Sequence, residues 1–234
     1  MLIKFTLVGI ILLLLGYWLT FQLYKSRGKK LRGSELETKI LLWVPIYLLT
    51  ILFAYSNNAI RSIFIVWVVA NCWYELTRQR ERLDKFLYLY GLVVSLGVVS
   101  ALLLAQHSKS LFMAIWLMSV LSDVMAFFAG NFFGRHFLPS KLNSNKSYEG
   151  VGGQLAGALA GFSIVNWLIV AIPTWLIFSV GIGSALGDLT NSYFKRLVGV
   201  KEWSHRLPGH GGYLDRFSSL SFALLLSYIV LRLR

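Results

Sequence analysis

Long apolar runs dominate this chain and leave it few folds to choose from. A membrane-spanning helix needs about 20 predominantly apolar residues. Residues 2–24 hold one charge, Lys4, and residues 40–55 hold none. Residues 62–76 carry only Glu75, near the end; 86–105 are uncharged; 111–129 carry only Asp123. Residues 151–187 are uncharged throughout and long enough to cross twice, with the turn near Asn166 and Trp167 or near Pro173. A shorter run, 220–231, comes last. In lipid every backbone polar group must be satisfied within the segment, so such runs form helices. The reading is an all-α fold, a polytopic transmembrane helix bundle of about eight spans. N-terminal helices over 1–110 and a C-terminal region over 111–234, which holds the catalytic candidates and their loops, make one integral membrane unit. The composition, 56% hydrophobic and 14% charged, sits far from the charged fraction of about 25% in soluble domains.

Charge orients the bundle. A net charge of +13 would suggest a nucleic-acid partner in a soluble protein. Here the cations fall in alternate loops. Lys25, Arg27, Lys29, Lys30, Arg32 and Lys39 crowd 25–39, and Arg78, Arg80, Arg82 and Lys85 fill 77–85. Arg135, Lys141 and Lys146 lie in 130–150, and Lys195, Arg196, Lys201, Arg206 and Arg216 in 188–217. Only Lys4, Arg61, Lys109, Arg232 and Arg234 lie elsewhere. The excess of Lys and Arg on cytoplasmic loops places those four loops inside and both termini outside. The basic rim attracts anionic lipid headgroups, not nucleic acid. The first run is too long for a signal-peptide core and its positive flank follows it, so it reads as a retained helix. Cys72 is the sole cysteine, which excludes an intrachain disulfide and leaves it as an apolar filler.

The polar residues carry the chemistry. Asp123, inside an apolar run, is costly in lipid by about 2.5–3.5 kcal/mol, so it faces a partner helix, a metal, a substrate or a wet cavity. Lys146, Ser147 and Glu149 stand where a helix begins, a natural place for phosphate. Gly153, Gly157 and Gly161, four apart, suit close helix packing, and such a stripe also permits a homodimer. Asp188, Ser192, Lys195 and Arg196 share one helix face, either as a surface ion-pair ladder or as a site. The stretch from Lys201 to Arg216 places His210 in a turn with Gly211 and Gly212, where backbone N–H groups can meet an anion. Carboxylates without cysteine suit magnesium rather than zinc, and clustered lysines and arginines suit phosphate oxygens. No phosphate-binding Gly-x-x-x-x-Gly-Lys loop and no Gly-x-Ser-x-Gly elbow occurs. The residues point to metal-assisted phosphoryl or nucleotidyl transfer at one membrane face.

SYFKR at 192–196, Lys201 and Glu202, and LPGHGGYLDRF at 207–217 together resemble the signature of the phosphatidate cytidylyltransferases, also called CDP-diacylglycerol synthases. Ser122 with Asp123, FGR at 133–135, KSYEG at 146–150 and Gly187 with Asp188 look like that family's preceding blocks. The resemblance covers about 120–217 and keeps its internal spacing; the N-terminal half is alike only in being hydrophobic. Three positions depart: the family usually has Asp at Glu202, Glu at Asn191 and commonly Asp at Ser218.

The resemblance implies transfer of a cytidylyl group from CTP to phosphatidate in phospholipid biosynthesis, with CDP-diacylglycerol and pyrophosphate as products and Mg2+ as cofactor. It assigns Asp188 and Asp215 to the metal, with Asp123 as a further ligand or organiser. Lys195, Arg196, Lys201 and Arg216 would clamp phosphates, and Lys146 and Ser192 would bind substrate. Gly211 and Gly212 would admit the nucleotide, and His210 would either bind a phosphate or shape the turn. The three departures keep open a paralogue for another lipid phosphate or a non-catalytic lipid-binding partner. A transporter coupled through Asp123 would favour inverted repeats, and none is visible. The expected location is a bacterial inner membrane, with the site on the cytoplasmic face.

Overall fold

The computed structural model describes residues 1–26, 28, 30–78, 85–139, 146–207 and 211–234. Among the described residues it contains eight helices and no strand. They are α1 (Leu2–Ser26), α2 (Glu35–Tyr55), α3 (Asn58–Thr77), α4 (Lys85–His107), α5 (Lys109–Phe133), α6 (Tyr148–Leu168), α7 (Leu176–Leu197) and α8 (Tyr213–Arg232). Six of these, all but α2 and α7, are long and apolar enough to cross a membrane, and Ile40–Tyr55 of α2 is a shorter apolar helix. The chain is an integral membrane protein. α7 falls outside the six because its last turns carry Asp188, Thr190, Asn191, Ser192, Lys195 and Arg196.

Side-chain caps mark several helix starts. Ser34, Asn57, Ser108 and Ser147 each accept the N–H of the residue three ahead, satisfying a donor that the helix itself leaves unpaired. The uncharged run over 151–187 turns in the Pro173 region: α6 ends at Leu168 and α7 begins at Leu176. Asn166 contributes too, its Oδ1 accepting the Ile172 N–H at 3.1 Å.

The core forms where backbones approach closely. A Cβ built on Gly157 would lie 2.7 Å from the Ser122 Cα on α5. One on Gly187 of α7 would lie 2.8 Å from the Ser219 Cα on α8. With little area-driven attraction between helices in lipid, this closeness is what binds them, through dispersion and buried hydrogen bonds. The stripe of Gly153, Gly157 and Gly161 spends its whole length against α5 of the same chain. Buried hydroxyls add cross-links: Ser119 to Ser184 at 3.1 Å and Ser179 to Ser227 at 3.0 Å. Cys72 is buried in the apolar core, as expected of a filler.

Candidate active site

The polar groups meet at one end of the bundle, where α5 and α7 finish, α6 and α8 begin, and α3 delivers its last turn. Two lysine–aspartate pairs organise this end. Lys146, just before α6, forms an ion pair with Asp188 of α7, and its ammonium also donates to the Asp188 carbonyl at 3.1 Å. The buried Gln154 amide donates to the same carboxylate at 3.4 Å. Lys195, two turns further along α7, reaches Asp215 Oδ1 at 2.7 Å. That places two residues seven apart on one helix face in front of two different partners.

Asp215 closes the start of α8. It is the third residue of the helix, and its Oδ2 accepts the N–H of the N-cap Gly212 at 2.9 Å and of Trp203 at 3.0 Å. The next two amides go to a residue from a distant part of the chain. Glu75 of α3, fully buried, accepts the N–H of Tyr213 at 2.9 Å and of Leu214 at 3.0 Å. It also takes the Ser204 hydroxyl at 2.6 Å. A helix leaves its first four N–H groups unpaired and carries positive potential there. Two carboxylates therefore satisfy the amides of 212–214, which the sequence had offered as an anion site. The glycines serve the same contact. Gly211 has φ +75, a conformation other residues rarely adopt, and a Cβ on Gly212 would lie 2.5 Å from Glu75 Oε2. The turn is closed by the Leu207 N–H donating to the Gly211 carbonyl at 2.9 Å. His210 lies outside the described residues.

Asp123 sits on α5 and accepts the Ser219 hydroxyl of α8 at 2.8 Å. It stands within electrostatic range of Asp188, Lys146 and Arg216. Arg216 stands within electrostatic range of Asp215, Asp123, Glu202 and Asp188. Asp123, Asp215 and Arg216 help line a cavity of about 350 Å³ whose lining is otherwise mostly apolar. Trp43, Ile46 and Leu49 of α2, Phe64 and Trp67 of α3, Trp116 of α5 and Leu220 of α8 line it. The buried Ser221 hydroxyl, on the same wall, has no hydrogen-bond partner among the described residues.

This sequence matches the cytidylyltransferase family across residues 2–234. The chain is a member of that family. Among curated proteins it is similar to the phosphatidate cytidylyltransferase of Haemophilus influenzae, 35% identical over 133 residues, which are 50% of this chain and 44% of that protein. The phosphatidate cytidylyltransferase of Staphylococcus saprophyticus is 38% identical over 51% of this chain and 46% of its own length. That of Staphylococcus haemolyticus is 30% identical over 75% of this chain and 70% of its own. The match thus spans about half the length of the first two relatives.

As a cytidylyltransferase-family chain, it can be compared residue by residue with the expectation above. Asp123, Lys146, Asp188, Lys195, Asp215 and Arg216 all come to one end of the bundle. Arg196 and Lys201 lie exposed at that end, and Ser192 is buried. The three departures each have a structural setting. Asn191 Oδ1 accepts the Tyr90 hydroxyl at 2.9 Å and the Trp203 indole N–H at 2.7 Å. Glu202 pairs with His205 at 3.0 Å. Ser218 is buried beneath Gly187. Sequence reasoning missed Glu75 and Gln154. For Glu75 the signal was present: a lone carboxylate at the end of an apolar run deserved the same question as Asp123.

Proposed function

We propose that this chain transfers a cytidylyl group from CTP to phosphatidate, at the cytoplasmic face of a bacterial inner membrane. The observation that carries this reading is the cavity: a mostly apolar lining that also holds Asp123, Asp215 and Arg216. Such a lining suits an amphiphile with hydrocarbon tails and a phosphate head, the guanidinium meeting the phosphate and the aspartates a cation that accompanies it. A phosphatidate would place its acyl chains between α2, α3, α5 and α8 and its phosphate at Arg216. The names of the similar proteins agree with this substrate pair.

In the reaction a phosphatidate phosphate oxygen attacks the α-phosphorus of CTP. The bond from that phosphorus to the oxygen bridging to the β-phosphate breaks, and pyrophosphate leaves. Such transfer needs alignment and charge neutralisation more than acid–base chemistry. Arg216 holds the lipid phosphate. Lys146 and Lys195, each kept extended by its aspartate, offer ammonium groups to the triphosphate, and Arg196 and Lys201 extend the basic surface. The side chains fit magnesium. Asp215 Oδ1 has Lys195 as a donor, and a carboxylate oxygen accepts about two. Among the described residues no three His, Cys, Asp or Glu side chains form a ready-made cage, so Asp123, Asp188 and Asp215 would hold the ion one or two at a time. Phosphate oxygens and water would complete its shell, as magnesium favours. When bound, the ion supplies charge neutralisation at the transferring phosphate. A homodimer would have to use a face other than the glycine stripe of α6, which α5 occupies.

The test is incubation of the purified chain with radiolabelled CTP, phosphatidate and magnesium. Labelled CDP-diacylglycerol is expected, lost with EDTA and reduced about 100-fold or more in Asp188→Asn and Asp215→Asn, the scale for removing a group that stabilises transition-state charge. A folded chain that labels another lipid phosphate but not phosphatidate would move the reading to that substrate. Undiminished turnover in both variants would remove the aspartates from the mechanism.

A further inference from the structure

The end of the bundle opposite the candidate site carries basic side chains without acidic ones. No Asp or Glu occurs in residues 1–34, 38–74, 85–122, 150–187 or 217–234, the stretches that build this end. The Met1 sulfur touches Ser110 there, and Arg234 lies over the Trp175 ring at 5.7 Å, so both ends of the chain belong to this face. Within it, an open cleft of about 590 Å³ is lined by Asn58, Arg61, Gln106, His107, Ser108 and Lys109.

Arg61 is 4% exposed and bonds neutral oxygens. It donates to the Phe53 carbonyl at 2.9 Å, the Ala54 carbonyl at 2.6 Å and Asn58 Oδ1 at 3.3 Å. The first two bonds close the last turn of α2 and favour a cation there. The three bonds together engage three of the five guanidinium N–H donors, and the residue lines the cleft. Lys109 begins α5, with its ammonium 5.3 Å from the Tyr55 ring centroid. A cation in the first turn works against the helix dipole, so Lys109 is not placed there for the stability of α5. Beside the cleft, Ile60 and Ile63 are exposed along α3. Their spacing, i and i+3, makes an apolar stripe running into the bilayer from the cleft.

We infer that this cleft binds the phosphodiester headgroup of an anionic phospholipid, with Arg61, His107 and Lys109 around the phosphate and the acyl chains along the α3 stripe. The site is separate from the catalytic end and does not depend on the reaction proposed there. A free phosphate shares the headgroup's chemistry but gains nothing from the stripe.

The test is a thermal-unfolding titration of the full chain in neutral detergent with phosphatidylglycerol, with phosphatidylcholine of the same acyl chains, and with inorganic phosphate. Phosphatidylglycerol is expected to raise the midpoint saturably and the other two are not. In His107→Gln combined with Lys109→Gln, which leaves Arg61 and its cap of α2 in place, the apparent affinity should fall about fivefold or more, the scale of one basic residue near an anionic surface. If that pair fails to fold, Lys109→Gln alone gives the same comparison. A variant that titrates like the unaltered chain overturns the assignment and moves the lipid to the basic loops of the other face. An equal shift with inorganic phosphate, or no shift with phosphatidylglycerol, overturns it as well.

Discussion

α1 and α5 are each 25 residues long and comparably apolar, yet they occupy different worlds. Over its most apolar 18 residues α1 is 17% buried and α5 is 56% buried. Hydropathy cannot separate them, because lipid tails are as apolar as leucine and nothing drives a leucine from one to the other. What separates them is their neighbours. α5 receives the glycines of α6, which bring two backbones together. α1 has Gly16 facing open space and Gly9 against the Tyr47 ring. The lesson extends to the chemistry. Asp123 is tolerable in an apolar helix because α5 is enclosed by protein, where Ser219 meets it, whereas the same carboxylate on α1 would face acyl chains.

The contrast breaks hardest at Glu75. α3 borders both worlds, with Ile63 and Val66 exposed and Glu75 fully buried. Glu75→Ala would strand two backbone amides and the Ser204 hydroxyl, each at about 1–3 kcal/mol when left unsatisfied. The expected loss is about 3 kcal/mol or more, read by denaturation in detergent, with turnover falling alongside. Glu75→Gln keeps an acceptor oxygen and should recover part of both. Alanine at wild-type stability would mean that α8 holds its start without Glu75.

Gly157→Leu comes next. Its side chain would drive into the backbone of Leu121 and Ser122, and overpacking of this kind costs about 3 kcal/mol at the upper end of its usual range. The unfolding midpoint should drop, and Asp123, one residue from that contact, should lose its register with Ser219. A neutral outcome would mean that α5 and α6 can part without consequence, which would dissolve the contrast with α1. Asn191→Leu is smaller. It orphans the Tyr90 hydroxyl and the Trp203 indole, for a loss of about 2 kcal/mol. Because Trp203 also donates its N–H to Asp215, the variant should lower turnover as well as stability.

These cases show what the sequence could express. The helices were legible because each apolar run must satisfy its own backbone, and the turn of 151–187 narrowed to two places, near Asn166 and near Pro173, because these lie towards the middle of a run long enough to cross twice. Asp123, Lys146, Asp188, Lys195, Asp215 and Arg216 were legible as separate polar groups at the ends of apolar runs, and only the family resemblance joined them into one site. Their partners were not. Helical spacing puts Asp188 and Lys195 on one face, but it cannot say that each would choose a partner from another helix. The role of Glu75 was hidden for a related reason. Its contacts lie 129 to 139 residues away, and no local pattern connects a lone carboxylate on α3 to the first amides of α8. Gly211 and Gly212 were expected to admit the nucleotide; in the structure the groups beside them are Asp215 and Glu75.

Gly16→Ala should do least. A Cβ there meets nothing within 4 Å, so no contact is lost and none is strained. Alanine is the better helix former by up to about 1 kcal/mol in water, a gain that shrinks where lipid already enforces helix. The midpoint should therefore stay within about 0.5 kcal/mol of the unaltered chain. This small effect has the widest reach of the four. Were Gly16→Ala to lower stability as far as Gly157→Leu, open space in the single chain would have to be occupied in the membrane by something close enough to feel one methyl group. A second copy packed against α1 would do that, and the loss would then weaken on dilution in detergent, whereas a defect within the chain would not.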